Sequence, residues 1–194
     1  MFTGIIEEVG IIKRKSGNSI EIKSSFSREL KIGDSVAVNG TCLTVKKILG
    51  GGTFLSEVMT ETRKKTNLDT LRVGHKANLE RAMRADGRFD GHFVSGHIDT
   101  TSKIKNITSD GKNKIFKIAV SKEYEKNLVE KGSVAIDGIS LTVVNLEPNY
   151  FSVSVLEFTL KHTNLSCRRA GDLLNIEFDV MAKYLWRWQN SKKN

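Results

Sequence analysis

A thiol at Cys42 and a hydroxyl at Ser140 stand at matching places in two near-identical decapeptides. Val36-Ala37-Val38-Asn39-Gly40-Thr41-Cys42-Leu43-Thr44-Val45 aligns with Val134-Ala135-Ile136-Asp137-Gly138-Ile139-Ser140-Leu141-Thr142-Val143, six of ten positions being identical. Asn39-Gly40 and Asp137-Gly138 are turn dipeptides. Each reverses the chain and aims Cys42-Leu43-Thr44 or Ser140-Leu141-Thr142 at one spot. Small polar groups and exposed backbone amides there suit a planar heterocycle with several acceptors. A second constellation is Gly91-His92-Phe93-Val94-Ser95-Gly96-His97-Ile98-Asp99. Its histidines lie five apart with no third clustered ligand, which argues for proton transfer or polar contact and against a metal. A third pairs Glu57-Val58-Met59-Thr60-Glu61-Thr62 with Leu156-Glu157-Phe158-Thr159-Leu160-Lys161. Thr62 and Thr159 read as helix N-caps, whose neighbouring N–H groups also suit a ligand. Lys131, just before Gly132, is either a helix-end charge or a counter-charge to an aromatic anion.

These groups belong to a repeat. Phe2-Thr3-Gly4-Ile5-Ile6-Glu7 echoes the segment from Val94 to Asp99, with Ile5 standing where the second copy has His97. The run from Thr62 to Leu68 echoes that from Thr159 to Leu165, and Gly74 with Asn78-Leu79-Glu80 echoes Gly171 with Asn175-Ile176-Glu177. Four blocks in one order, about a hundred residues apart, indicate a duplicated domain rather than a solenoid. The units are expected at 1–90 and 91–180, with a tail at 181–194. About ninety residues suffice for a core of its own.

Short apolar runs bounded by Gly, Asn, Asp and Ser predict strands over 5–12, 19–24, 34–38, 43–48, 53–58 and 76–81. The second half repeats them over 96–106, 114–120, 133–136, 141–146, 150–155 and 172–179. Six strands per unit without a long connecting helix predict an all-β protein of two closed antiparallel barrels. Short helices are expected over 26–30, 61–71, 122–129 and 159–165. Residues 180–188 predict one more helix, whose Trp and Leu must dock on their own domain or another subunit.

The chain carries a net charge of +9 at 39% apolar and 27% charged residues. Its basic runs, Lys13-Arg14-Lys15, Arg63-Lys64-Lys65 and Lys192-Lys193, lack interleaved aromatics, so no nucleic-acid track is expected. No apolar run reaches the roughly 20 residues of a membrane span, and the start lacks signal-peptide character. Cys42 and Cys167 fall at unrelated repeat positions, as expected of free thiols in a reducing cytoplasm.

Taken together, Met1-Phe2-Thr3-Gly4-Ile5, Asn39-Gly40-Thr41-Cys42-Leu43-Thr44-Val45, Ser95-Gly96-His97-Ile98 and Ile136-Asp137-Gly138-Ile139-Ser140-Leu141-Thr142-Val143 make the chain resemble riboflavin synthases of the α-chain type. The resemblance spans about residues 1–180. It implies two six-stranded Greek-key barrels and a C-terminal helix that helps hold a homotrimer. It implies dismutation of two 6,7-dimethyl-8-ribityllumazine molecules by four-carbon transfer, giving riboflavin and 5-amino-6-ribitylaminouracil without metal or organic cofactor. Association with a lumazine synthase is a further implied partner. By the same resemblance, the first pocket takes Gly4, Ile5 and Ile6, then Cys42, Leu43 and Thr44, then Glu57, Val58, Met59, Thr60, Glu61 and Thr62. The second takes Gly96, His97, Ile98, Lys131, Ser140, Leu141 and Thr142, then Leu156, Glu157, Phe158, Thr159, Leu160 and Lys161. His97, Cys42, Ser140 and Asp137 are the expected catalytic groups, and Phe2 the expected lid. One segment departs from the family's Pro-Glu-Thr-Leu, reading Glu157-Phe158-Thr159-Leu160 with the acidic group moved one place. The competing class is a lumazine protein that holds one chromophore as an antenna without turnover; retention of His97 and Cys42 favours catalysis.

Overall fold

Alternating side chains and left-handed turn residues break each half of the chain into six strands. A computed structural model describes residues 1–191. The first half forms β1 (Glu8–Ser16), β2 (Ser19–Lys23), β3 (Ser35–Val38), β4 (Thr41–Leu49), β5 (Thr53–Glu57) and β6 (Lys76–Arg81). The second forms β7 (Thr100–Asp110), β8 (Asn113–Ala119), β9 (Ser133–Ile136), β10 (Ile139–Glu147), β11 (Tyr150–Val155) and β12 (Leu173–Phe178). Each set closes on itself, the first in the order β1-β2-β5-β4-β3-β6 and the second in the equivalent order. Closure leaves no strand edge open to another chain. Matched bulges at Ile12/Arg14 and Ile104/Asn106, and at Val45/Lys47 and Val143/Asn145, supply the bends. Each barrel has its own core, around Ile22, Phe54 and Leu79 in one and Ile118, Phe151 and Ile176 in the other.

The first strand of each barrel begins later than the pattern predicts, at Glu8 rather than residue 5 and at Thr100 rather than 96. The residues before them leave their own barrel, as described below. The predicted helices are shorter too. The 26–30 segment is a 3-10 turn, Ser25–Arg28, and 122–129 yields only α2. The helices are α1 (Thr60–Lys65), α2 (Lys122–Glu125), α3 (Glu157–His162) and α4 (Val180–Ser191). After α1 and α3 the chain turns extended at Thr66 and Thr163, and 3-10 turns follow at Asn67–Thr70 and Asn164–Cys167. Both threonine hydroxyls bond back to the preceding turn, to Thr62 O and Thr159 O at 2.7 Å. The break points Asn67 and Asn164 inward.

Those asparagines join a buried polar seam between the barrels. The Asn39-Gly40 and Asp137-Gly138 turns meet back to back, with positive φ at all four residues, as a two-residue hairpin of this kind requires. A Cβ on Gly40 would lie 2.6 Å from Gly138 N, and one on Gly138 2.7 Å from Gly40 N. Asn78 Nδ2 donates to Asp137 O at 2.9 Å, and Asn175 Nδ2 to Asn39 O at 2.8 Å. Asn67 N donates to Asn175 Oδ1 and Asn164 N to Asn78 Oδ1, both at 2.6 Å. Each bond thus has its twin across a pseudo-twofold axis.

Asp137 breaks the symmetry, standing where the first half has Asn39. Expected among the catalytic groups, it has no exposed surface. Its carboxylate accepts from Asn67 Nδ2, Asn175 N and Asn164 Nδ2 at 2.8–2.9 Å, and from Arg168 Nη2 at 2.5 Å. Its place is the seam, not a pocket. The first half puts Leu71 where Arg168 stands, so an Asn–Leu pair there answers an Asp–Arg pair here.

α4 forms as predicted, but none of its described residues is buried. It is tied to the second barrel by Lys183–Asp99 at 2.6 Å and by Lys126 over the Trp186 ring at 3.6 Å. Among the described residues no helix is long and apolar enough to cross a membrane. Lys192 and Lys193 lie outside the described residues.

Removing the Asp137 carboxylate strands Arg168 and three buried donors. Asp137→Ala is expected to lose about 3–5 kcal/mol of stability, the range for breaking a buried ion pair, read as a lower urea midpoint. The double variant Asp137→Asn, Arg168→Leu copies the other half and is expected to recover most of that loss.

Candidate functional site

The segments ahead of β1 and β7 exchange barrels. Phe2 and Val94 pair with each other as an antiparallel bridge, through Phe2 N to Val94 O at 2.8 Å and Val94 N to Phe2 O at 3.2 Å. With Ala37 and Ala135 they form a small core between the barrels. Phe2 is therefore fully buried and is no lid. From this bridge each segment runs onto the opposite barrel. Gly4 O accepts from Ser140 N at 2.8 Å, and Gly96 O accepts from Cys42 N at 2.9 Å. Both glycines have positive φ, and a Cβ would lie 2.7 Å from Ser140 Cβ or 2.5 Å from Cys42 Cβ. Only glycine fits such a crossing. The grouping implied by the resemblance is thus reversed for Gly4 and Gly96. Gly4 belongs with Ser140 and Ile6 packs on the second core, whereas Ile5 is exposed and lines an open cavity with Glu80 and Arg81 of the first barrel. Gly96, His97 and Ile98 belong with Cys42.

Two buried carboxylates hold these lead segments. Glu80 accepts from Thr3 N at 2.7 Å, Thr3 Oγ1 at 3.1 Å and Gly4 N at 3.1 Å. Glu177 accepts from Ser95 N and Oγ at 2.6 Å and from Gly96 N at 2.9 Å. Burial pushes both carboxyls above the usual carboxylate range, and the hydrogen bonds oppose that shift. Neither glutamate was expected in the site. Their repeat position was visible, but their role depends on a contact about eighty residues away.

On the first barrel an open cavity of about 410 Å³ is lined by Cys42, Leu43, Thr44, Glu57, Met59 and Thr62, with Ile32, Gly33 and Lys46. An adjoining one of about 230 Å³ shares Cys42 and Thr62 and adds Glu61, Lys65, Gly96, His97 and Ile98. The larger falls in the size range of small-molecule sites, and the smaller extends it past Cys42. Thr62 is free to face the cavity because Met59, not Thr62, caps α1. Val58 lies in the barrel core, and Thr60 lines neither cavity. The rim is charged, with Lys46 paired to Glu57 and Glu61 to Lys65 at 3.0 Å.

The second barrel presents the matching surface with different chemistry. Ser140 replaces Cys42, and its Oγ lies 2.7 Å from His92 Nδ1. His92 is buried, its Nε2 has no partner among the described residues, and burial lowers its pKa, with a smaller opposing pull from Asp179. A neutral imidazole beside a serine hydroxyl can take the hydroxyl proton. His92 lies two residues ahead of Val94, where the block matched between the halves begins. Thr159 sits inside α3, which Leu156 caps. Phe158 stacks on His162 at 4.1 Å where the first half has the Glu61–Lys65 pair. Leu156 and Phe158 are exposed, Leu160 is buried in the core, and Lys161 is paired with Glu157 at 2.7 Å. Lys131 holds the left-handed position that Gly33 holds in the first half: each N–H donates to the matching strand, at Val143 O and Val45 O.

Comparison with known proteins agrees with this duplicated geometry. A family model described as the lumazine binding domain matches twice, over residues 3–82 and 95–179. The chain is 44% identical to the riboflavin synthase of Actinobacillus pleuropneumoniae, over 95% of this chain and 88% of that one. It is 42% identical to that of Bacillus subtilis, over 97% and 89%. Among solved structures it superposes on LumP complexed with riboflavin at a TM-score of 0.84 and 25% identity, covering 92% of this chain and 99% of that one. LumP complexed with 6,7-dimethyl-8-(1'-D-ribityl) lumazine gives 0.79 at 24% identity over the same coverage, a likeness of fold. Nearly full-length identity above 40%, together with two lumazine-binding domains, places the chain in the riboflavin synthase family.

Proposed function

We propose that the chain is a transferase that converts two molecules of 6,7-dimethyl-8-ribityllumazine into riboflavin and 5-amino-6-ribitylaminouracil by moving a four-carbon unit. The observation that carries this reading is the pair of matched strand-and-turn motifs, each met by the other barrel's lead segment, with unlike reactive groups at Cys42 and Ser140. Two like cradles take two like molecules. Cys42 with His97 on one side and Ser140 with His92 on the other let the two behave differently.

The C7 methyl of the lumazine is acidic because its carbanion delocalises into the ring. On the second barrel the neutral His92 draws on the Ser140 proton, so that the Ser140 oxygen, or a water held by it, accepts the proton from the C7 methyl. In the first cradle Cys42 or a water adds to the acceptor ring, with His97 as the adjacent polar group. Asp137 supports both by fixing the seam. Holding the reactants in register is worth up to roughly 7–11 kcal/mol in favourable systems.

That register needs two cradles face to face, which a homotrimer supplies by setting one chain's first barrel against a neighbour's second. The support is α4, which leaves Met181, Tyr184, Leu185 and Trp188 between 57% and 71% exposed. The functional units are taken as 1–90, 91–180 and 181–194. Free Cys42 and Cys167 fit a cytoplasmic setting. A lumazine synthase is the partner that would deliver the substrate.

Incubation with the lumazine is expected to generate riboflavin fluorescence; bound lumazine that never turns over defeats the proposal. Leu185→Glu with Trp188→Glu is expected to give a monomer by sedimentation that retains the barrel circular dichroism and loses at least 100-fold in rate. His92→Gln is expected to lower kcat roughly 100-fold or more, as loss of a general base does. It also alters the pH dependence of stability. The folded-state pKa of His92 lies below its ordinary 6.5, so its share of stability is present above pH 6.5 and is lost as pH falls through the folded value. The urea midpoint of His92→Gln is accordingly expected to fall less steeply on acidification than that of the parent.

A further inference from the structure

The two carboxylate clamps are alike except in one bond. Glu80 grips Thr3 and Gly4, and Gly4 O accepts from Ser140 N at 2.8 Å, but among the described residues Thr3 Oγ1 takes no bond from Ile5 N. Glu177 grips Ser95 and Gly96, and the Ser95 hydroxyl it orients also accepts from His97 N at 3.2 Å. Gly96 in turn bonds Cys42 N through its carbonyl at 2.9 Å. A continuous set of hydrogen bonds therefore runs from a buried glutamate of β12, in the second barrel, to the histidine and the cysteine that share a cavity on the first. At the matching position the first half has Ile5, which has nothing to titrate or orient.

We infer that Glu177 is a positioning residue, which sets His97 beside Cys42 in the first barrel's pocket through Ser95. It contacts no ligand itself. This rests on the functional reading above. Its placement explains why a carboxylate is kept where burial disfavours charge. Two adjacent backbone N–H groups and one hydroxyl converge there, and only a carboxylate offers two acceptor oxygens without a competing donor. A glutamine would turn an NH2 group toward one of those N–H donors and loosen the segment. Misplacement of a reacting group by about 1 Å is enough to cost roughly 100-fold in rate.

The test is a double-mutant cycle in the riboflavin-forming assay on the full-length protein. Glu177→Gln is expected to lower kcat at least tenfold. In a His97→Ala background the same substitution is expected to change kcat less than twofold, because the residue it acts through is gone. Glu80→Gln, with an equivalent burial change, is expected to lower kcat by the same factor in both backgrounds. Ser95→Ala is expected to behave as Glu177→Gln does, and it decides the matter if Glu177→Gln does not fold. The inference is overturned if Glu177→Gln keeps kcat within twofold, if its effect is equal with and without His97, or if His97→Ala alone leaves kcat unchanged. If the parent makes no riboflavin, the functional reading falls separately. The clamp is then judged by titration with 6,7-dimethyl-8-ribityllumazine: a tenfold weaker affinity in Glu177→Gln sustains it and an equal affinity overturns it.

Discussion

Everything in this molecule follows from an exchange: each barrel gives up its first few residues to the other. The exchange is pinned at Phe2 and Val94 and forces Gly4 and Gly96 against the opposite pocket strands. Once it is made, neither pocket belongs to one domain. The barrels must then hold a single relative orientation, because a small rotation would open both pockets together. An apolar interface of leucines would bind the barrels but tolerate sliding. The Asn39, Asn67, Asn78, Asn164 and Asn175 amides tolerate none, since each buried donor that loses its acceptor costs about 1–3 kcal/mol. Fully satisfied, such a network enforces one geometry.

Duplication kept the frame and let the contents diverge. The seam positions pair Asn67 with Asn164, Asn78 with Asn175, and Glu80 with Glu177. The pocket positions pair Ile5 with His97, Cys42 with Ser140, and the Glu61–Lys65 ion pair with the Phe158–His162 stack. The division has a chemical reason. A dismutation uses one compound as both donor and acceptor, so both sites must recognise the same shape. They must also favour opposite electron flow. A symmetric scaffold meets the first need, and unlike side chains at symmetric positions meet the second.

How much of this was legible in sequence depends on the range of the interaction. The two barrels were, because strand periodicity and turn dipeptides are local and the repeat confirmed them twice. The ownership of the lead segments was not. A repeat shift says that Gly4 corresponds to Gly96; it is silent on whether either packs on its own barrel or on the other. Asp137 misled for a related reason. A carboxylate beside a pocket motif reads as a reagent, and only the tertiary fold shows Arg168 and three amides already occupying it. Thr62 and Thr159 read as caps, whereas Met59 and Leu156 take that position, and Thr62 lines the first barrel's cavities instead. His92 stands in a candidate constellation but gains no place in either pocket from sequence, because comparing the halves reveals only what both contain. Its signal was a histidine beside a glycine just upstream of the matched block.

The clamps show why the buried charges of this fold are not a weakness. Glu80 and Glu177 pay a desolvation cost that burial alone would make prohibitive. Each offsets it with three donors, two of them backbone N–H groups that have no strand partner. Those N–H groups are free because the lead segments run ahead of their own strands and meet the other barrel without adding a strand to it. The exchange creates orphan donors at a fixed place, and a glutamate on the last strand of each barrel satisfies them. The carboxylates and the crossing thus require each other: without the crossing the glutamates would be buried alone, and without the glutamates the crossing would leave its backbone unpaired. A site placed on such a segment is held as firmly as one on a strand, although it lies in irregular chain. That firmness lets a residue like His97, which belongs to the other half of the repeat, share a cavity with Cys42.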